Sequence, residues 1–134
     1  MFQKQLEQLV ERTDSGVASL LVGFDGILVD TYIKDAVKLD WLALASECAY
    51  LMNQGRKSSS MVQLGSLHEV SFHTDKWNLL LQAITDSYFL ILLMTKTGFL
   101  GKGRFFLDMA KAQLSHLLQG EMQHEQSVAS VIGE

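Results

Sequence analysis

Apolar and polar residues recur along this chain with two different periods, and each change of period marks an element. Phe2, Leu6, Leu9, Val10 and Thr13 fall on one stripe at helical spacing, while Gln3, Lys4, Glu7, Glu11 and Arg12 fall off it. That is an amphipathic helix, ended by Asp14-Ser15-Gly16. Val17 to Val22 is then apolar on both faces, Asp25-Gly26 is a turn signal, and Ile27 to Tyr32 alternates. Two β-type runs joined through Asp-Gly predict a hairpin, with Ile27, Val29 and Thr31 on one face of its second strand and Leu28, Asp30 and Tyr32 on the other.

Helical periodicity returns near Leu39. Leu42, Ala45, Ala49, Met52, Ser59 and Val62 keep one stripe in phase, which predicts a long second helix to about Leu64 despite Gly55 and Ser58-Ser59-Ser60. Three strands follow, over Leu67–Thr74, Trp77–Thr85 and Tyr88–Lys96, with Asp75-Lys76 and Asp86-Ser87 as turns. A final helix over Phe99–Gln119 buries Phe106, Leu107, Ala110, Leu114 and Leu117, and the residues from Gly120 read as a polar tail. The expected organisation is one domain over 1–119 and a tail over 120–134.

The order helix, two strands, helix, three strands, helix predicts an α+β fold with a mainly antiparallel sheet. The first and fifth strands are apolar on both faces, so they belong in the middle. Placing them side by side gives the strand order 2-1-5-4-3 and leaves the third strand at an edge.

Composition narrows the function. The chain has 134 residues, a net charge of −4, and no basic face of the kind nucleic-acid binding needs. Its single cysteine, Cys48, excludes an intramolecular disulfide and fits a reducing, cytoplasmic setting. The most apolar run, Tyr88–Met94, is far shorter than the ~20 residues a spanning helix requires, so no membrane insertion is expected.

Two stretches resemble chemistry and fail on their own residues. Gly23-Phe24-Asp25-Gly26 resembles an aspartyl-phosphate motif, but Gly23 stands where the nucleophilic carboxylate belongs. Gly98-Phe99-Leu100-Gly101-Lys102-Gly103-Arg104 resembles a phosphate loop, but its spacing is short and Gly103 replaces the hydroxyl residue. It reads as a tight strand-to-helix turn. His68, His73, His116, His124 and Cys48 show no zinc spacing, no G-x-S-x-G is present, and no carboxylate pair stands out. The chain reads as a non-enzyme without cofactor or metal.

Small residues crowd the second helix: Ala43, Ala45, Ser46, Cys48, Ala49 and Gly55. The third strand, as an edge, has backbone groups that need shielding. Together these predict a homodimer, with Leu42, Ala45, Cys48, Ala49, Met52, Val70 and Phe72 as its interface. A charge introduced at Ala45 or Ala49 is expected to break that association.

Val17-Ala18-Ser19-Leu20-Leu21-Val22-Gly23-Phe24-Asp25-Gly26-Ile27-Leu28-Val29 resembles the first hairpin of the roadblock/dynein light chain family, within the roadblock/longin group. Tyr88–Met94 followed by Leu100-Gly101-Lys102 is similar to that family's fifth strand and the N-L-G-x-x-R lead into its last helix; Phe99 replaces the Asn, and Arg104 falls near the basic position. The resemblance covers residues 3 to 119, in the style of bacterial MglB-type proteins. It implies a dimer through the second helix and third strand, giving a continuous sheet, and a Ras-like small GTPase as partner whose hydrolysis is stimulated. An activator of that kind supplies an arginine finger, worth ~10³–10⁵ in rate, or repositions the GTPase's own groups, and MglB-type relatives are held to use the second route. Arg12, Arg56 and Arg104 are the available fingers, with Arg56 the partner-binding candidate. The alternatives are an adaptor that tethers a multiprotein complex without GTPase contact, and a small-ligand sensor.

Overall fold

The structure, a computed structural model, describes residues 2–34 and 37–132, with side chains described as far as Gly120. Its elements are α1 (Gln3–Arg12), β1 (Gly16–Gly23), β2 (Leu28–Ile33), α2 (Trp41–Met61), β3 (Glu69–His73), β4 (Trp77–Ala83), β5 (Tyr88–Thr95) and α3 (Leu100–Ile132). The sheet has the expected order β2-β1-β5-β4-β3, and every neighbouring pair is antiparallel.

β1 and β5 lie in the middle because their side chains need cover on both faces. Every residue of β1 is buried, and so is β5 from Phe89 to Met94. Alternation sends Leu90, Leu92 and Met94 to one face, where they meet Leu6 and Leu9 of α1 and Leu107 and Leu114 of α3. Phe89, Ile91 and Leu93 go to the other, where they meet Ala45, Ala49 and Met52 of α2. Two helices thus cover one face and a single helix the other.

Several boundaries have local causes. α2 starts at Trp41 because Asp40 caps it, its Oδ1 accepting from the Ala43 N–H at 3.0 Å. It stops at Met61, before the expected Leu64, where Gln63 turns to φ 58° and the Leu64 N–H donates back to the Ser59 carbonyl at 2.9 Å. α3 continues through Gly120 to Ile132 instead of ending at Gln119. One glycine costs only ~1 kcal/mol in a helix, and no proline follows to stop it. Residues 133 and 134 of the expected tail lie outside the described residues.

The face assignment of β2 needs correction. Leu21 pairs with Asp30 but Val22 pairs with Leu28, so Val29 is an extra residue at a β-bulge. The bulge flips the alternation. Leu28 joins Ile33 on the α2 face, while Tyr32 packs on the α1/α3 face.

Asp25-Gly26 is a turn, as its hairpin reading requires. The Gly26 N–H donates to the Gly23 carbonyl at 2.9 Å, and Asp25 Oδ1 accepts from the Ile27 N–H at 3.0 Å. Glycine in the second motif serves packing. A Cβ on Gly103 would lie 2.7 Å from Met94 Sδ, so its absence lets α3 settle onto β5.

Candidate interaction surface

α2 inverts the usual distribution of side-chain size. Its inward residues are mostly small, with Ala45 and Met52 fully buried and Cys48 and Ala49 at 3% exposure. Its large apolar residues Leu42, Tyr50, Leu51 and Met61 are exposed. Small inward residues let the helix lie close to the sheet. Large outward residues are left with nothing in this chain to cover them.

This corrects the residues expected at a partner surface. Ala45, Cys48, Ala49 and Met52 belong to the chain's own core, packed against Leu20, Phe89 and Ile91 of the sheet. They are not available to a second molecule, so a charge introduced at Ala45 or Ala49 would act on folding first. Burial, then the neighbouring Glu47 carboxylate, pushes the Cys48 thiol up to about 11, so it stays protonated. Leu42 is 69% exposed, but it projects about 140° around the helix from Gly55, away from β3. The flank that does face β3 carries Leu44, Leu51, Gly55 and Val62, which share one helical line. Gly55 fixes its direction: a Cβ there would lie 2.7 Å from Leu67 and 3.6 Å from Val70. Sequence periodicity missed this flank because it seeks the buried stripe. The apolar residues left over were the signal.

Val70 and Phe72 are half-buried on the α2 face of β3, opposite Leu81 and Leu79. Five strands span ~20 Å and one helix covers ~10 Å, so α2 alone leaves the β3 side of this face open.

The two sheet edges differ. On β2 the outward backbone groups of Thr31 are satisfied by side chains: Asp30 Oδ1 accepts from its N–H at 2.9 Å, and Gln3 Nε2 donates to its carbonyl at 2.8 Å. Gln3 Nε2 also donates to Asp30 Oδ1, closing the clip. β3 has no such clip among the described residues. The His68 carbonyl accepts from the Ala83 N–H and the Thr74 N–H donates to the Trp77 carbonyl, both at 2.9 Å. Even-numbered residues therefore face β4, and antiparallel alternation points the N–H and C=O of Glu69, Ser71 and His73 outward. Glu69 is anchored from beneath, accepting from Arg104 Nε at 3.0 Å and from Gln82 Nε2 at 3.0 Å.

Arg56, the candidate for partner contact, is engaged within the chain. Its guanidinium donates to the Asp86 carbonyl at 3.0 Å and to the Thr85 carbonyl at 3.4 Å, and it stacks 3.2 Å from the Phe24 ring centroid. Burial lowers its pKa and Asp86 partly offsets this. Together with Asn53, which donates to the Phe24 carbonyl at 2.8 Å, it ties α2 to both hairpin turns at this end of the sheet. Arg56→Ala is expected to cost about 1–2 kcal/mol, read as a fall of several degrees in the thermal midpoint. Arg104 is likewise paired, to Glu69. Beside Arg56 a cleft of about 890 Å³ is lined by Ser60, His68, Thr85, Asp86 and Lys111 among others. Among the described residues no group of His, Cys, Asp and Glu could hold a metal ion, and no helix is long and apolar enough to cross a membrane.

No family model matches the sequence, and no curated protein matches it. Solved structures do. MglC from Myxococcus xanthus is 31% identical, with a TM-score of 0.62 over 86% of this chain and 97% of that one. An MglB solved with a tetrameric arrangement has a TM-score of 0.82 at 16% identity, over 89% of this chain and 88% of that one. The Roadblock/LC7 domain from Streptomyces avermitilis has a TM-score of 0.78 at 17% identity, over 87% of this chain and 96% of that one. With the strand order, the Asp-Gly hairpin and nearly end-to-end coverage in agreement, the chain belongs to the roadblock/LC7 family.

Proposed function

We propose that this chain is a homodimeric roadblock-type scaffold that binds and regulates a Ras-like small GTPase. The observation that carries the self-association is the half-covered face of the sheet beside an open β3 edge, while the β2 edge is clipped shut by Gln3 and Asp30. A second copy supplies what each copy lacks. Its β3 pairs with the open edge, and its α2 lies over the uncovered strands against Leu44, Leu51 and Val62. The GTPase partner rests on the family and on its MglB-type members.

The internal engagement of Arg56 and Arg104 bears on mechanism. A finger must leave its own protein to reach the partner's phosphates, and both guanidinia are held. For Arg56 and Arg104 this favours repositioning of the GTPase's own groups over a finger, and stimulated hydrolysis is expected to survive Arg56→Ala within about twofold, against the ~10³-fold or larger loss that removing a finger causes; Arg12→Ala tests the third arginine in the same assay. The test is co-sedimentation of the chain with the small GTPase of its own cell, loaded with GDP or with a GTP analogue, followed by single-turnover hydrolysis. Binding that depends on the nucleotide supports the proposal; no binding in either state sinks it. The same engaged arginines also suit a second reading, an adaptor that tethers a complex, whose binding would be indifferent to nucleotide.

A further inference from the structure

We infer that the cleft between the end of α2, the connection over residues 63–68 and α3 is a binding site for a small phosphate ester without a nucleobase, held by Lys111, Arg56 and the hydroxyls of Ser60 and Thr85. The inference is independent of the self-association and the GTPase contact proposed above, and its test needs neither.

At about 890 Å³ the cleft falls within the ~300–1,000 Å³ range of small-molecule sites. Its charge runs against that of the chain. The sequence as a whole carries −4, yet among the described residues the lining sets the Arg56 and Lys111 cations against a single carboxylate, the exposed Asp86. Arg56 is fixed by its bonds to the Thr85 and Asp86 carbonyls, so its charge is in place before a ligand arrives. Lys111 is half-buried and makes no hydrogen bond or ion pair among the described residues. An ammonium that has lost part of its water without gaining an anion is a group that a ligand completes. The hydrogen-bonding capacity left over is mostly donor. The Thr85 hydroxyl oxygen already accepts from the Ser87 and Tyr88 N–H groups, both at 3.2 Å, which leaves its O–H to donate. The N–H groups of Gly65, Ser66 and Leu67 have no acceptor among the described residues, in a connection bent by φ 58° at Gln63 and 95° at Gly65.

These features choose among anions. Donors come from α2, from the β4–β5 turn and from α3, three elements that approach from different sides. A tetrahedral phosphate presents oxygens in all of those directions, whereas a carboxylate presents two in one plane. No aromatic ring lines the cleft, and its apolar residues are Leu67, Ala83 and Ile84, so a nucleobase has nothing to stack on. The Asp86 carboxylate is an acceptor, which suits a hydroxyl on the organic part of the ester.

Calorimetric titration of the full chain with glycerol 3-phosphate tests the site. Saturable binding is expected, weakened about tenfold or more by Lys111→Gln, which removes one charge-assisted contact. Lys111 holds nothing within the chain, so this variant should melt with the parent. Ser60→Asp, at an exposed position, sets a second carboxylate in the cleft and should abolish binding. Lys57→Gln, also exposed on α2 but outside the cleft, should leave binding within about twofold. In nuclear magnetic resonance spectra the amide signals of Gly65, Ser66 and Leu67 should move as the ester is added. No saturation by about 10 mM, or equal affinity in Lys111→Gln, overturns the site. An equal loss in Lys57→Gln would reduce the binding to diffuse surface charge and overturn it as well. Succinate binding as tightly as the ester would overturn the phosphate preference. Adenosine monophosphate binding about tenfold more tightly than glycerol 3-phosphate would overturn the exclusion of a nucleobase.

Discussion

Ala45→Asp is expected to unfold the protomer. Ala45 is fully buried, in a helix that lies close to the sheet. Aspartate is too short to carry its carboxylate out to solvent from there. The core it would enter consists of Leu20, Val22, Phe89 and Ile91 and offers no cation. An uncompensated buried charge costs about 3–5 kcal/mol, and the added volume in a packed site ~1–3 kcal/mol more. Against a total stability of ~5–15 kcal/mol for a domain of this size, that removes most of the margin. The measurement is thermal melting followed by far-ultraviolet circular dichroism. Tyr50→Asp provides the control: it places the same charge on the same helix at a residue 59% exposed, and is expected to lie within about 1 kcal/mol of the parent. Equal melting of the two variants would mean that α2 does not pack on the sheet as described. The deficit of Ala45→Asp should also shrink as pH falls toward ~4, where the buried carboxyl takes up a proton. Loss of dimer in this variant would say nothing about an interface, because folding fails first.

What could be read from the sequence divides along a physical line. Periodicity reports which side of an element is apolar. It therefore located α1 through Leu6, Leu9 and Val10, and it centred β1 and β5 through their two-sided apolarity. That was enough for the strand order. It does not report register. The bulge at Val29 turns Leu28 to the opposite face from the one strict alternation assigns, and no residue type there announces it. Nor does periodicity say whose core an apolar stripe belongs to. Ala45, Cys48, Ala49 and Met52 read as a surface for a partner, yet the chain's own sheet takes them. Small residues permit close approach of any backbone, and the sheet is the nearer one. Leu44, Leu51 and Val62 look like exceptions to the stripe, although they form a second line toward β3. Arg56 was legible as the arginine on α2, but its bonds to the Thr85 and Asp86 carbonyls depend on how the β4–β5 turn returns beneath the helix.

Ser71→Pro is expected to dissociate the dimer while leaving the protomer folded. The two effects separate because of where the Ser71 N–H points. The groups of β3 that bond to β4 are those of the even-numbered residues, so the outward Ser71 N–H contributes nothing to the protomer's own sheet. Proline removes that donor and places its ring against any approaching strand, and edge strands tolerate it for this reason. In the dimer the loss is felt twice, once on each side of the axis. Each side loses a hydrogen bond worth ~1 kcal/mol and leaves a buried carbonyl without its donor, at ~1–3 kcal/mol. The sum is about 4–8 kcal/mol, or ~10³–10⁶ in the dissociation constant. Sedimentation equilibrium at micromolar concentration should show a dimer for the parent and a monomer for the variant, with melting of the folded state shifted by no more than a few degrees. A variant that remains dimeric would exclude β3 as the joining edge and leave the α2 flank of Leu44, Leu51 and Val62 to hold the two copies by itself. A second substitution, Leu51→Lys, tests that flank directly. It places a charge on an outward residue already 37% exposed, so it spares the protomer and opposes only a partner helix. If β3 and α2 form one interface, either substitution alone gives monomers, because the edge bonds and the helix contact must form together around one axis.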